Sequence, residues 1–278
     1  MRFVSGVMIM NDQSVTFRGV QVGVFELFSL AGKVALVTGG GRGLGEQIAR
    51  GYAEAGATVV LASRRIDNCI QVRDSLIGQG AAAEAFQLDV TDPESVQRVV
   101  KQVAERFGQI DVLVNNGGAS WGAPAFDMPY EAWQKVIATN LTGTFLMSRE
   151  VGRHMQQQQS GKIINIASVA GMRGSAPEVL DAVGYSASKG GVIALTLDLA
   201  VKWARYGICV NAIAPGFFPT KMTRDVLAAR GTEILANTPL GRTGGDRDLQ
   251  GAALYFAAAA SDYTTGQVLA VDGGATAR

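Results

Sequence analysis

KVALVTGGGRGLGEQIARGYAEAG, residues 33–56, changes its period halfway. KVALVTG is a short, β-rich, nearly continuous apolar run, the pattern of a strand buried on both faces. GLGEQIARGYAEAG has helical spacing and ends on a glycine. Between them lies TGGGRGLG, residues 38–45, where the strand must turn into the helix. Gly39 permits the tight turn, Gly43 lets backbone approach a bound group closely, and Gly45 brings helix and strand together. A helix starting there offers unpaired N–H groups and its positive dipole end, which suits a pyrophosphate. The spacing differs from the common GxGxxG fingerprint, and the GKS or GKT of a P-loop is absent. A purely structural turn is the competing reading.

The alternation continues outward. ATVVLAS (57–63) reads as a strand and IDNCIQVRDSLIGQG (66–80) as its crossover helix. AAAEAFQLDV (81–90), the helix PESVQRVVKQVAERFG (93–108) and the strand IDVLVNN (110–116) follow. The spacing predicts one helix over EAWQKVIATNLTGTFLMSREVGRHM (131–155), then the strand GKIINIAS (161–168). The helix SASKGGVIALTLDLAVKWARYG (186–207) precedes the strand ICVNAIAPG (208–216), and DLQGAALYFAAAA (248–260) precedes QVLAVDGG (267–274). Buried strands alternating with helices predict a single Rossmann-like α/β domain over residues 29–278. It is a doubly wound parallel sheet with helices on both faces and a ligand crevice outside the strands' carboxyl ends. Residues 1–28 read as an N-terminal extension, an edge segment and disorder being equally consistent with them. QQQQ (156–159) reads as a wet helix end. Residues 217–240 show little strand character and are expected to cover the crevice as a substrate lid, with an ordinary surface excursion as the alternative.

Composition narrows the function classes. The 278 residues carry 25 Lys plus Arg against 24 Asp plus Glu, so neither a general nucleic-acid surface nor a basic tail is expected. No run reaches the roughly 18 apolar residues of a membrane span. MRFVSGVMIM, at the start, lacks a convincing signal-peptide cleavage site. Cys69 and Cys209 match no metal-ligand or redox spacing and read as small buried residues, in keeping with a reducing cytoplasmic compartment. HExxH and comparable clusters are absent, so no metal is expected. The single histidine, His154, precedes a glutamine run and reads as a surface residue. Small molecules and further copies of the chain are the expected partners.

The second strand ends LASRR, with no carboxylate to hold a ribose hydroxyl. Ser63 and Arg64 stand there and Arg42 rises from the glycine turn, so two guanidinium groups are available for a 2′-phosphate; NADP(H) is favoured over NAD(H). Arg65 reads as a solvated neighbour. Asp89, with Val90 beside it, either accepts a bond from adenine or caps the next turn. NNGG (115–118) ends a strand, where Asn115 would brace its neighbours and small residues would pack on the nucleotide, or simply turn the chain.

GYSASKGG (184–191) puts Tyr185 and Lys189 one helical turn apart, on one face. A free tyrosine titrates near about 10 and is a poor base at neutrality. A positive charge beside it favours phenolate. By itself the pair is equally a half-exposed tyrosine with a solvated lysine.

The ordered set of motifs goes further. From about Leu30 to Gly274 the chain resembles the classical short-chain dehydrogenase/reductase family. Thr38, Gly39, Gly43 and Gly45 match its cofactor turn, Asp89 its adenine-side acid, and Asn115, Asn116 and Gly117 its strand-end signature. Asn140, Ser168, Tyr185 and Lys189 match its catalytic tetrad, and Pro215, Gly216 and Thr220 the stretch at the nicotinamide end. The resemblance implies that Tyr185 protonates a carbonyl oxygen in reduction and deprotonates an alcohol in reverse. It implies that Ser168 holds that oxygen, that Lys189 binds the nicotinamide ribose and favours tyrosinate, and that Asn140 supports a water-linked proton relay. The cofactor contacts it implies take in Gly41, Arg42, Leu44, Ser63, Arg64, Val90, Gly118 and Phe218 as well, together with Tyr185 and Lys189 themselves. A homotetramer, or a dimer, is also implied.

FSLAGKVALVTGG, GGASWGAP and APGFFPTKMTR look most like 3-oxoacyl-carrier-protein reductases of the rhamnolipid-biosynthesis type, and the overall pattern is also near gluconate dehydrogenases. The expected activity is therefore NADP(H)-dependent carbonyl reduction, of β-ketoacyl thioesters or related ketones. Sugar-acid or other secondary-alcohol oxidation is the alternative, and a catalytically silent nucleotide-responsive interaction protein the reading from a different class. Trp121, Met172 and Phe217 are the expected substrate contacts beside Ser168 and Tyr185, with core or subunit packing as their other reading; Leu180 and Arg173 belong to the same loops. The interval from Ser168 to Tyr185 is longer than usual, and GDRDL follows GRTG where the family has a proline-containing turn.

Overall fold

The computed structural model describes residues 23–277. Most of the extension expected over 1–28 lies outside these residues; of the rest, Glu26–Phe28 forms one 3₁₀ turn. The Leu30 amide then donates to the Ala55 carbonyl at 2.8 Å, and the Leu30 side chain is fully buried.

Strand β1 (Val34–Thr38) is buried at every position. The pleat sends alternate side chains to opposite faces, so Ala35 and Val37 enter one core and Val34 and Leu36 the other. Strands β2 (Thr58–Ser63), β3 (Ala83–Gln87), β4 (Val112–Asn115), β5 (Gly161–Ile166), β6 (Ile208–Pro215) and β7 (Val268–Val271) join it in one sheet. Its order is β3-β2-β1-β4-β5-β6-β7, and all neighbouring strands run parallel. Helices α1 (Gly43–Glu54) and α2 (Ile66–Gly78) cover the first face with α8 (Gln250–Ala257). The second face is covered by α3 (Pro93–Phe107), α5 (Gly143–Gln158) and α6 (Val183–Trp203). This is the doubly wound arrangement the alternation predicts. Its connections diverge between β1 and β4, which opens a crevice at the carboxyl ends.

Three segments differ from the sequence reading. The helix expected over 131–155 is two, α4 (Tyr130–Ile137) and α5, joined by a π turn over Ala138–Thr142. One wider turn scarcely disturbs the apolar period, so counting periods runs straight through it. QQQQ is not merely a wet end: Gln158 accepts from the Ile110 amide at 3.0 Å and donates to its carbonyl at 3.1 Å. Gln159, at φ 54, turns the chain into β5. The excursion 217–240 holds a further helix, α7 (Arg224–Ala236), kinked at Arg230, in which only Ile234 is buried. So little apolar anchorage places it among the least stable parts of a fold.

A buried polar chain crosses the sheet behind the crevice. Asn115 donates to Ser148 on α5 and to Asn165 on β5, both at 2.9 Å, and Asn165 donates to Thr196 on α6 at 2.9 Å. Asn115 thus braces β4 against β5, as its place at the strand end suggests. Polar groups this deep are as a rule paired; the Asn115 Oδ1, buried without a hydrogen-bond partner among the described residues, is an exception.

Gly45 shows how tightly the first turn is built. A Cβ there would fall 2.4 Å from Asn116 Nδ2 and 2.5 Å from the Gly39 carbonyl oxygen. Gly45→Ala is therefore expected to cost about 1–3 kcal/mol by overpacking, read as a lower urea midpoint. An unchanged midpoint would show that the turn relaxes freely.

Candidate active site

At the first turn, Gly39 and Gly43 adopt positive φ, 65° and 56°. Arg42, before α1, is extended and supplies no side-chain cap, so the first N–H groups of α1 remain open to an anion. The walls are glycine because nothing larger fits. A Cβ at Gly41 would lie 2.8 Å from the Cys69 amide nitrogen on α2. Leu44 packs half-buried on the first core. Asn116 Nδ2 donates to the carbonyls of Thr38 and Gly39 at 3.0 and 3.2 Å, clamping β1's exit from the β4 side. Gly117 and Gly118 extend that rim; Asn140 Oδ1 and Lys189 Nζ lie 3.6 and 4.0 Å from where a Gly118 Cβ would be.

At the end of β2, the Ser63 hydroxyl donates to the Arg65 carbonyl at 2.9 Å and accepts from the buried Cys69 thiol at 3.2 Å. Arg42, Arg64 and Arg65 are exposed, and among the described residues none is ion-paired with a carboxylate. Uncompensated guanidinium groups beside an uncapped helix fit a phosphorylated ribose. Asp89 does act as a turn cap: its Oδ1 accepts from the Thr91 amide at 2.9 Å and hydroxyl at 2.7 Å. That leaves its second carboxylate oxygen outside the cap. Val90 packs against Gly143 at the start of α5.

The four tetrad residues come from three places: Asn140 from the π turn, Ser168 from the exit of β5, and Tyr185 and Lys189 from the first turns of α6. Ser168 caps the short 3₁₀ turn Val169–Gly171, accepting from the Ala170 amide at 3.2 Å. Tyr185 is half-buried. Burial pushes its phenol above the ordinary tyrosine range, and the nearby Ser168 side chain only partly offsets this. Lys189 is 4% exposed and donates to the Ile166 carbonyl at 2.6 Å, with its ammonium 5.7 Å from the centre of the Tyr185 ring. Burial lowers Lys189 to about 8. In the free protein the largest influence on Tyr185 is desolvation, which holds the phenol protonated. At neutral pH the arrangement presents a protonated phenol beside a protonated, buried ammonium.

Asn140 is locked. Its Oδ1 accepts from the Ala119 amide at 2.7 Å, and its Nδ2 donates to the Ala119 carbonyl and the Ser188 hydroxyl, both at 2.9 Å. Ala119, Ile166 and Ser188 are partners that the sequence reading did not single out. The first two act through main-chain atoms, which leave no residue signature.

On the substrate side, the Ala123 amide donates to the Asp181 carbonyl at 2.9 Å, tying the Trp121 loop to the long loop before α6. Trp121 and Met172 are exposed and Phe217 half-exposed. Phe218 departs from expectation: its ring is 2% exposed in the first core, lying over Gly244, so only its main chain remains for a cofactor. Pro215 ends β6, the Gly216 amide donates to the Val271 carbonyl at 3.0 Å, and Thr220 lies over Gly43 across the crevice. In GDRDL, the Arg242 guanidinium and the Gly245 amide hold the Asp248 carboxyl down to about 2, an ion-paired turn at the point where the sequence departs from the family's proline-containing one. Among the described residues no cluster of three or more His, Cys, Asp or Glu side chains is placed to hold a metal, and no helix is long and apolar enough to cross a membrane.

Known proteins share this architecture. The chain is 41% identical over 255 residues to a 2-dehydro-3-deoxy-D-gluconate 5-dehydrogenase of Pseudoalteromonas atlantica, covering 90% of this chain and 98% of that one. It is 39% identical over 246 residues to a 3-oxoacyl-[acyl-carrier-protein] reductase of Vibrio cholerae, covering 88% and 98%. The solved structure of a gluconate 5-dehydrogenase from Burkholderia cenocepacia, in complex with NADP and tartrate, superposes with a TM-score of 0.88 at 38% identity, covering 92% of this chain and 100% of that one. The short chain dehydrogenase family model matches residues 33–231, and with these relatives it establishes that the chain belongs to the short-chain dehydrogenase family of oxidoreductases.

Proposed function

We propose that this oxidoreductase is an NADP(H)-dependent reductase of ketone carbonyls, working in reverse as a secondary-alcohol dehydrogenase, with β-ketoacyl compounds as its leading substrates. The observation that carries the reading is the buried Lys189 ammonium 5.7 Å from the centre of the Tyr185 ring, with the Ser168 side chain near enough to lower the Tyr185 titration. In reduction, the Ser168 hydroxyl and the Tyr185 phenol both donate to the substrate oxygen, and Tyr185 gives up its proton as charge builds there. Lys189 stabilises the tyrosinate so formed. The nicotinamide supplies the hydride and accepts it in the reverse direction. Asn140 fixes the π turn beside Lys189, where a proton can be returned. Arg42 and Arg64 hold the 2′-phosphate, Asp89 and Val90 flank the adenine, and the open amides of α1 hold the pyrophosphate. Thr220 and the 217–240 segment close over the crevice.

The exposed apolar side chains of Trp121 and Met172 support an acyl or similarly apolar substrate arm. A sugar-acid dehydrogenase is the second reading. It is favoured by exposed Arg173 on the same loop, whose charge reaches Asp272, and by relatives named for gluconate chemistry.

Paired NADPH and NADH assays over acetoacetyl thioester, β-ketoester and sugar-keto-acid substrates separate these readings. Selective NADPH turnover of the first two supports the proposal, whereas exclusive turnover of keto acids, lost in Arg173→Ala, moves the second reading ahead. Tight NADPH binding with no turnover would favour a silent interaction protein. Tyr185→Phe is expected to lower kcat by roughly 10²-fold or more while NADPH still binds. Arg64→Ala should weaken NADPH by about 1.5–3 kcal/mol and leave NADH nearly unaffected.

Lys189 gives a prediction of definite sign. Its folded value, about 8, lies below the ordinary 10.5. Between these values the unfolded chain binds the extra proton, so the cost to stability is full below about 8, fades as pH rises from 8 to 10.5 and is gone above 10.5. Lys189→Met should abolish turnover yet stabilise the free protein at pH 7 by about 2 kcal/mol, the desolvation gain less the lost Ile166 bond. Urea unfolding at neutral and strongly alkaline pH checks this: the difference from the parent should shrink at high pH.

A further inference from the structure

Ser188 sits immediately before Lys189, is wholly buried, and has no part in the proton transfer described above. Its hydroxyl donates to the Tyr185 carbonyl at 2.7 Å and accepts from Asn140 Nδ2 at 2.9 Å. An asparagine amide has two N–H donors, and here one serves Ala119 and the other Ser188. A serine hydroxyl has a single proton; committed to Tyr185, it leaves only an acceptor to face Asn140. Asn140 both accepts from and donates to Ala119 in the loop after β4, and from Asn140 onward the bonds run in one direction, from the π turn to the catalytic turn of α6. Of the side-chain bonds of Asn140, only this one reaches α6.

The consequence concerns distance. Asn140 Oδ1 and Lys189 Nζ flank the same point beside Gly118, and Lys189 is otherwise held only by the Ile166 carbonyl and its place over the Tyr185 ring. The Lys189 ammonium is anchored to Ile166 at the end of β5, so a small slip of α6 against the π turn carries the Tyr185 ring past it. Coulombic influence in a water-poor site is steep in distance, and the slip changes how strongly Lys189 favours tyrosinate. We propose that Ser188 is a positioning residue for proton transfer: it pins the first turns of α6 to the π turn and so fixes the Tyr185–Lys189–Asn140 spacing. The kinetic part rests on the reductase reading; the effect on Tyr185 titration does not.

The test compares Ser188→Ala, Ser188→Cys and the parent, all with NADP bound. Tyr185 is titrated by tyrosinate absorbance against Tyr185→Phe backgrounds, and kcat, KM, NADPH affinity and urea midpoint are measured beside it. Alanine removes the hydroxyl and adds no bulk. It is expected to raise the Tyr185 titration midpoint and lower kcat roughly ten- to hundred-fold, with KM and NADPH affinity essentially unchanged. Cysteine, keeping a weak donor, should fall between. An unmoved titration midpoint overturns the proposal, and if kcat and the urea midpoint fall together without it, Ser188 is merely a packing residue. If the parent turns over no carbonyl, the reductase reading fails while the titration still decides the role of Ser188.

Discussion

The Thr38 hydroxyl donates to the Val114 carbonyl at 3.2 Å and accepts from the amides of Asn116 and Gly117 at 3.0 and 3.1 Å. It does so where the chain's connections leave β1 and β4 in opposite directions, the one place a doubly wound sheet cannot close over itself. Asn116 adds its own bonds to Thr38 and Gly39. The two strand ends thus form one rigid lip, and everything in the crevice is placed relative to it. The glycine turn starts from Thr38, and the Gly117–Gly118 rim starts from Asn116. Ala119, which grips Asn140, follows directly.

From that lip the site is assembled by main-chain contacts more than by side-chain pairs. Ile166 offers a carbonyl to Lys189, Ala119 offers both its amide and its carbonyl to Asn140, and Ser168 is set by the amide of Ala170. Behind them the Asn115–Asn165–Thr196 chain joins β4, β5 and the middle of α6 through buried side chains. Rigid backbone donors and acceptors cost little reorganisation during a reaction, which suits a site whose work is holding charge at fixed distances.

The protonation states follow from burial. Lys189 keeps its charge at neutral pH although it is nearly inaccessible, and Tyr185 keeps its proton although a cation stands nearby. Such a pair stores the proton that carbonyl reduction needs. The opposite edge of the crevice is looser, since Ile234 is the one buried residue of α7 and the Trp121 and Met172 side chains are exposed. Rigidity on the tetrad side and freedom on the other suit the substrate range proposed above.

The sequence by itself determined the layered fold, because a continuous apolar run, a glycine turn and a helical period are local patterns that admit one packing of parallel strands. It also determined the chemical groups: Tyr185 and Lys189 share a helix face by spacing alone, and SRR shows that no carboxylate waits at the end of β2. The tertiary structure decided what depends on distant neighbours. The π turn that carries Asn140, the burial of the Phe218 ring, the Gln158–Ile110 pairing and the net titration of Tyr185 each arise from contacts between remote segments. Desolvation and main-chain bonding are properties of an environment, and a residue's identity does not reveal its environment until the chain has folded around it.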